Sequence, residues 1–152
     1  MPLSVGDQAP DFELKDQHGQ SVRLSHLRGR KAALIVFYPW AFTGVCGGEL
    51  HAMQQELDAL VTDEVALFAI STDSMYALRA FADQEGFTFP MLSDFWPHGS
   101  VAGEYGVLHD GIGIALRGTF LVDRDGVVRW SVVNGIPDAR DIDDYKKAIA
   151  AL

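Results

Sequence analysis

Ala32-Ala33-Leu34-Ile35-Val36-Phe37-Tyr38-Pro39-Trp40-Ala41-Phe42-Thr43-Gly44-Val45-Cys46-Gly47-Gly48-Glu49 is the stretch around which the chain is organised. Its first seven residues form an unbroken apolar run, too short for a core helix and closed by a proline, which is the pattern of a strand buried on both faces. Pro39 stops the strand, threonine and glycine make the turn, and the only cysteine of the sequence arrives where an amphipathic helix opens at Glu49-Leu50. The first turn of a helix carries unpaired backbone N–H groups and the positive end of the helix dipole. A thiol in such a place ionises more readily, and the thiolate is the nucleophilic form.

Working outward from this stretch, the N-terminal side predicts a β-hairpin. Asp11-Phe12-Glu13-Leu14 and Ser21-Val22-Arg23-Leu24 alternate about the turn residues Asp16-Gln17-His18-Gly19. Ser25 to Gly29 reads as a turn or a single helical turn. On the C-terminal side, Leu50, Met53, Leu57 and Leu60 recur at three- and four-residue steps, predicting one helix from Cys46 to about Leu60. Val65 to Ile70 is a second buried strand. Ser74 suits the N-cap of a helix that turns Met75, Leu78, Phe81 and Ala82 inward and is closed by Gly86.

Phe87 to Leu92 reads as a further strand, with Pro90 marking an edge position or a strand end. The loop Ser93–Gly99 leads to a short helix from Ser100 to Tyr105. Gly118–Val122 and Val127–Val133 flank Asp123-Arg124-Asp125-Gly126, a strong hairpin signal. A last helix is predicted from about Asp138, its acids ahead of Lys146 and Lys147 as the helix dipole favours. Strand–helix–strand units require crossovers and parallel pairs, while the closing hairpin makes the sheet mixed. The expectation is an α/β three-layer sandwich forming a single domain over residues 1–152.

A net charge of −9, from 21 acidic and 12 basic side chains, argues against nucleic acid or an anionic membrane surface as a partner. The longest apolar run, Ala32 to Phe42, is too short to span a bilayer, and no signal-like apolar segment precedes Lys15. One cysteine excludes an internal disulfide framework and fits a reducing compartment. A soluble cytoplasmic protein is expected.

Taken by itself, Cys46 would be a small buried hydrophobe. Its neighbours point elsewhere: Gly44, Gly47 and Gly48 offer nothing apolar to pack and leave backbone amides open to a ligand. Thr43 suits the N-cap, and its hydroxyl can accept from or donate to a reacting oxygen. Pro39 lacks an N–H and is either a shield between a thiolate and water or a plain strand stop. Glu49, one turn into the helix, suits a surface acid favoured by the dipole. The five histidines, His18, His26, His51, His98 and His109, have no ligand-like spacing, so no metal site is expected. Asp123-Arg124-Asp125-Gly126 lacks the spacing and the glutamate of a calcium loop, and the glycine cluster lacks the lysine of a phosphate-binding loop. No cofactor is expected.

Pro39-Trp40-Ala41-Phe42-Thr43-Gly44-Val45-Cys46 resembles the active-site motif of the peroxiredoxins, Pro-x-x-x-Thr/Ser-x-x-Cys. Ala9-Pro10-Asp11-Phe12, the stretch Phe87 to Asp94, and Arg117 to Asp123 resemble further family segments in the same order, so the likeness covers nearly the whole chain. The wording of Phe95-Trp96-Pro97-His98-Gly99 is closest to a one-cysteine group of that family. The resemblance implies a thioredoxin-like fold with an added N-terminal β-hairpin, and a thiol-dependent peroxidase serving antioxidant defence. The substrates implied are hydrogen peroxide and organic or lipid hydroperoxides, with peroxynitrite a further candidate.

It also implies roles. The Cys46 thiolate would attack a peroxide oxygen and become a sulfenic acid. Arg117 would hold the thiolate and polarise the O–O bond, Thr43 would orient the reactants, and Glu49 would position Arg117. Amides near Val45 and Cys46 would act as an oxyanion hole. Arg140 sits where some family members place a second arginine, although the first turn of a helix is solvated by default. With no resolving cysteine, the reductant would be an external thiol: a mycothiol and mycoredoxin system in the group resembled, or a thioredoxin-type donor. A homodimer or higher homo-oligomer is implied as well. Trp40, Phe42 and Trp96 would line a substrate mouth, belong to the core, or form a dimer surface.

Two other classes compete. A disulfide reductase wants a Cys-x-x-Cys pair, but Thr43 and Glu49 occupy the positions three before and three after Cys46. A thioredoxin-fold binding or redox-sensing module without catalysis is countered by Thr43, Cys46 and Arg117 occurring together.

Overall fold

The computed structural model describes residues 1–152. The N-terminal hairpin is β1 (Glu13–Lys15) and β2 (Ser21–Arg23), followed by a single 3-10 turn at Leu24–Leu27. Next come β3 (Ala32–Phe37), α1 (Gly44–Gln55), α2 (Leu57–Leu60), β4 (Val65–Ser71), α3 (Met75–Glu85) and β5 (Met91–Ser93). The chain continues through α4 (Ser100–Glu104), β6 (Leu108–His109), β7 (Ile114–Ala115), β8 (Arg117–Val122), β9 (Val128–Asn134) and α5 (Ile142–Ala150).

Seven strands form one mixed sheet in the order β2-β1-β5-β4-β3-β8-β9, and β6 and β7 make a separate small hairpin. β3 runs parallel to β4, and β4 parallel to β5, the pairs joined by helical crossovers. β8 returns antiparallel to β3, with Leu34 opposite Leu121 and Val36 opposite Thr119. Every residue of β3 is buried because it is covered on both faces. Leu34, Val36 and Tyr38 face a core shared with Leu50 and Met53 of α1, Leu78 and Phe81 of α3, and Tyr145 of α5. Ala33, Ile35 and Phe37 face the opposite core, built on Phe12, Tyr105 and Phe120. The result is the three-layer, thioredoxin-like architecture expected. No helix is long and apolar enough to cross a membrane.

Three local expectations are corrected and one element is new. Phe87–Pro90 is not strand: β5 begins at Met91, after the proline, and lies inside the sheet between β1 and β4. The Gln17 side chain takes the place of strand pairing there, donating to the Phe89 carbonyl at 3.0 Å and accepting from the Met91 N–H at 2.9 Å. The helix after Cys46 breaks at Glu56 (φ −105°, ψ 20°), so Leu57 and Leu60 belong to the separate α2. The last helix begins at Ile142 rather than Asp138, capped by Asp141, because Arg140 is bound elsewhere. The β6–β7 hairpin has no counterpart in the expected elements. Ser74 does cap α3, accepting from the Ala77 N–H at 3.2 Å, and Gly86 closes that helix in the left-handed region at φ 76°.

Candidate active site

Cys46 lies in the first turn of α1 and is fully buried. The register between β3 and β8 explains what stands beside it. Carrying the Val36–Thr119 pairing on by two residues sets Arg117 level with Tyr38, at the end of β3 from which the Cys46 turn departs. Arg117 is buried to 2% exposure, and its Nη2 donates to Cys46 Sγ at 3.3 Å. A strand-edge arginine would ordinarily be solvated; this one is enclosed.

Glu49, one turn along α1 from Cys46, is also buried, so of its two readings the surface acid is excluded. Its Oε1 accepts from Arg117 Nη1 and from Arg140 Nη2, the latter at 3.0 Å. Its Oε2 accepts from the Arg140 backbone N–H at 2.6 Å and from Arg140 Nε at 2.9 Å. Arg117 Nε donates to the Ile136 carbonyl. Arg140 Nη1 donates to the Gly118 carbonyl at 3.1 Å and to Thr119 Oγ1 at 3.0 Å, and Thr119 Oγ1 lies 3.3 Å from the Tyr145 hydroxyl. Arg140 is therefore not in a solvated helical turn: it precedes α5 and is buried.

Two guanidiniums and one carboxylate leave one positive charge in excess, enclosed beside Cys46 Sγ. Burial by itself would raise the Glu49 carboxyl; the hydrogen bonds and charge of Arg140, with the charge of Arg117, outweigh it and hold the group below its ordinary range. Burial would likewise lower Arg140, but Tyr145 and Glu49 outweigh it, and this guanidinium stays charged.

Thr43 occupies the N-cap position, yet its hydroxyl donates to the Trp40 carbonyl at 2.9 Å and caps nothing. That bond spends its proton and leaves its lone pairs free. The amides of Gly44, Val45 and Cys46 make no hydrogen bond within the chain, so the helix start presents three donors. Pro39 is buried at the strand end. Trp40, Phe42 and Trp96 are 39%, 52% and 79% exposed, so none is core. Phe42 holds φ 64°, a conformation side chains rarely adopt, with its ring 4.9 Å from that of Phe81. A cavity of about 300 Å³ between Phe42, Thr43, Gly47, His51 and Phe81 borders the outer face of the first turn. The larger cavity, about 960 Å³ beside Trp130 and the end of α5, is at the far end of the strands and away from Cys46.

Thr119, Tyr145 and the Ile136 carbonyl join the site without having been singled out in the sequence. The one available signal was Thr119, a polar residue inside the apolar run of β8.

The model of the AhpC/TSA family matches residues 5–131. The chain belongs to that peroxiredoxin family. It is a thiol peroxidase, an oxidoreductase, with a single cysteine. It is 47% identical to alkyl hydroperoxide reductase E of Mycobacterium tuberculosis over 150 residues, covering 99% of this chain and 98% of that one. This is the group whose wording the loop Phe95–Gly99 resembles. It is 32% identical to the chloroplastic 2-Cys peroxiredoxin BAS1 of Spinacia oleracea, with all of this chain matched to 60% of that longer protein. Among solved structures it is similar to reduced 2-Cys peroxiredoxin of Plasmodium vivax, with a TM-score of 0.89 and 32% identity over 99% of this chain and 82% of that one. It is likewise similar to peroxidoxin BcpB of Mycobacterium tuberculosis, with a TM-score of 0.86 and 29% identity over 99% and 98% of the two chains.

Proposed function

We propose that this peroxiredoxin reduces peroxides through a sulfenic acid at Cys46 and is restored by an external thiol. The observation that carries the reading is the enclosed contact between Arg117 Nη2 and Cys46 Sγ at 3.3 Å, in a site with one positive charge in excess. The thiolate attacks one peroxide oxygen; the S–O bond forms, the O–O bond breaks, and the leaving oxygen departs as water or alcohol after taking a proton. Arg117 and the free amides of the first turn stabilise charge developing on the oxygens. Thr43 Oγ1 accepts a hydrogen bond from the peroxide hydroxyl and orients it, Pro39 walls the sulfur from water, and Glu49 fixes Arg117.

The substrates are hydrogen peroxide and organic hydroperoxides, the exposed Trp40 and Phe42 suiting the organic ones, with peroxynitrite as a further substrate. One cysteine leaves no internal resolving thiol, so the reductant is external. The likeness to alkyl hydroperoxide reductase E supports a mycothiol and mycoredoxin system, with a thioredoxin-type donor as the alternative. A homodimer completes the reading, supported by the exposed Phe95 and Trp96, and the single cysteine suits a cytoplasmic location. Intact-mass analysis after one equivalent of peroxide tests the chemistry. It should show one oxygen added at Cys46, replaced by a mixed disulfide when a small thiol is supplied; an unmodified Cys46 refutes it.

A further inference from the structure

Tyr38 is fully buried, and its Oη is the one buried side-chain polar atom in the chain with no hydrogen-bond partner. Leaving a hydroxyl so placed unpaired is costly, since burial strips its water and nothing replaces it. A phenylalanine would fill the same space without that cost, so the hydroxyl needs an explanation.

Its place in the fold narrows the choice. Tyr38 follows Leu34 and Val36 on the face of the sheet that packs on α1, in the same core as Cys46. The β3–β8 register sets it level with Arg117, whose Nη2 touches Cys46 Sγ. Ser71, a polar neighbour, is turned toward Asp73: its Oγ donates to Asp73 Oδ2 at 2.7 Å and accepts from the Asp73 N–H at 3.4 Å, while the same carboxylate oxygen holds the Ala41 N–H at 2.9 Å. Ser71 is near enough to soften the effect of burial on the phenol but is not in hydrogen-bonding geometry with it. Burial, reinforced by the charges of Asp73 and Cys46, raises the phenol well above its ordinary ionisation, so Tyr38 keeps its proton and is available as a donor.

We infer that Tyr38 Oη–H donates to the oxygen that Cys46 Sγ takes from the peroxide, a partner that the reduced chain does not contain. The inference rests on the sulfenic acid reading above. The thiolate electron pair forms the S–O bond, the O–O bond breaks, sulfur is oxidised by two electrons and the peroxide is reduced. The proton that completes the water or alcohol comes from solvent, and the phenol proton stays on Tyr38.

Tyr38→Phe separates this role from a structural one. Because the reduced chain loses only an unpaired hydroxyl, the reduced variant should unfold at the same temperature as the parent or higher. Its second-order oxidation, followed by rapid mixing with hydrogen peroxide, should be slower by about tenfold, the scale of one hydrogen bond made in the transition state. A lower unfolding midpoint in the reduced variant, or an unchanged oxidation rate, overturns the inference. The parent protein is run alongside. If it gains no oxygen at Cys46, the peroxidase reading itself fails and takes this inference with it.

Discussion

Arg117 and Glu49 show how far a residue's surroundings change its meaning. In the sequence they are an ordinary strand-end arginine and an ordinary helix acid; in the fold they are buried partners 3.3 Å and one turn from the only thiol. Arg117→Ala removes one transition-state donor and the charge beside the sulfur. Oxidation of Cys46 should slow by about 10² or more, measured by rapid mixing with hydrogen peroxide; an unchanged rate would mean that the arginine is structural. Glu49 makes a prediction about stability. Its carboxyl is held below the ordinary value of 4.5, so its contribution is fully present above that pH and is lost as pH falls through the depressed folded value. Glu49→Gln leaves two buried guanidiniums poorly compensated and should cost about 3 kcal/mol or more at pH 7. Denaturant unfolding of the variant should also lose less stability below pH 4.5 than the parent does. Identical acid limbs would contradict the network. Arg140 was legible only as a position, because the sequence cannot show that residues 136–140 fold back over α1.

At the scale of elements, the strands and helices that build the core were legible because burial on both faces leaves apolar runs and burial on one face leaves a period. What misled was local chemistry overruled by distant partners. Pro90 reads as a strand end or edge, yet β1 pairs with β5 on the side away from β4, and Gln17, far away in the sequence, bonds the backbone on either side of the proline. The start of α5 is delayed because the backbone of Arg140 is spent on Glu49. The first turn of α1 invites a direct test. Gly47 and Gly48 have helical backbone, and nothing lies within 4 Å of where a Cβ would stand on either. Gly47→Ala and Gly48→Ala should each stabilise the chain by about 0.5–1 kcal/mol through helix propensity. A lowered thermal midpoint would show that these glycines are needed by contacts within the chain.

Across the whole molecule, the topology does one thing for function: it brings the end of β3, the start of β8 and the N-terminus of α1 to the same point. The sequence supported that arrangement through its strand–helix order and through motifs shared with a known family, whereas the assembly left no periodic signature. The exposed Trp96, 79% accessible in the isolated chain, belongs to the surface we assign to the homodimer. Sedimentation should report a dimer for the parent and a monomer for Trp96→Glu; a monomeric parent contradicts that assignment. The central claim is that Cys46 is a peroxide-reactive thiolate. Its most direct test is stopped-flow tryptophan fluorescence of the reduced protein mixed with hydrogen peroxide or an organic hydroperoxide, with Cys46→Ser as the control. The account predicts a second-order change orders of magnitude faster than the reaction of a free thiol, abolished in Cys46→Ser although that variant stays folded. Oxidation at the pace of an ordinary thiol, or an equal signal from Cys46→Ser, would contradict it.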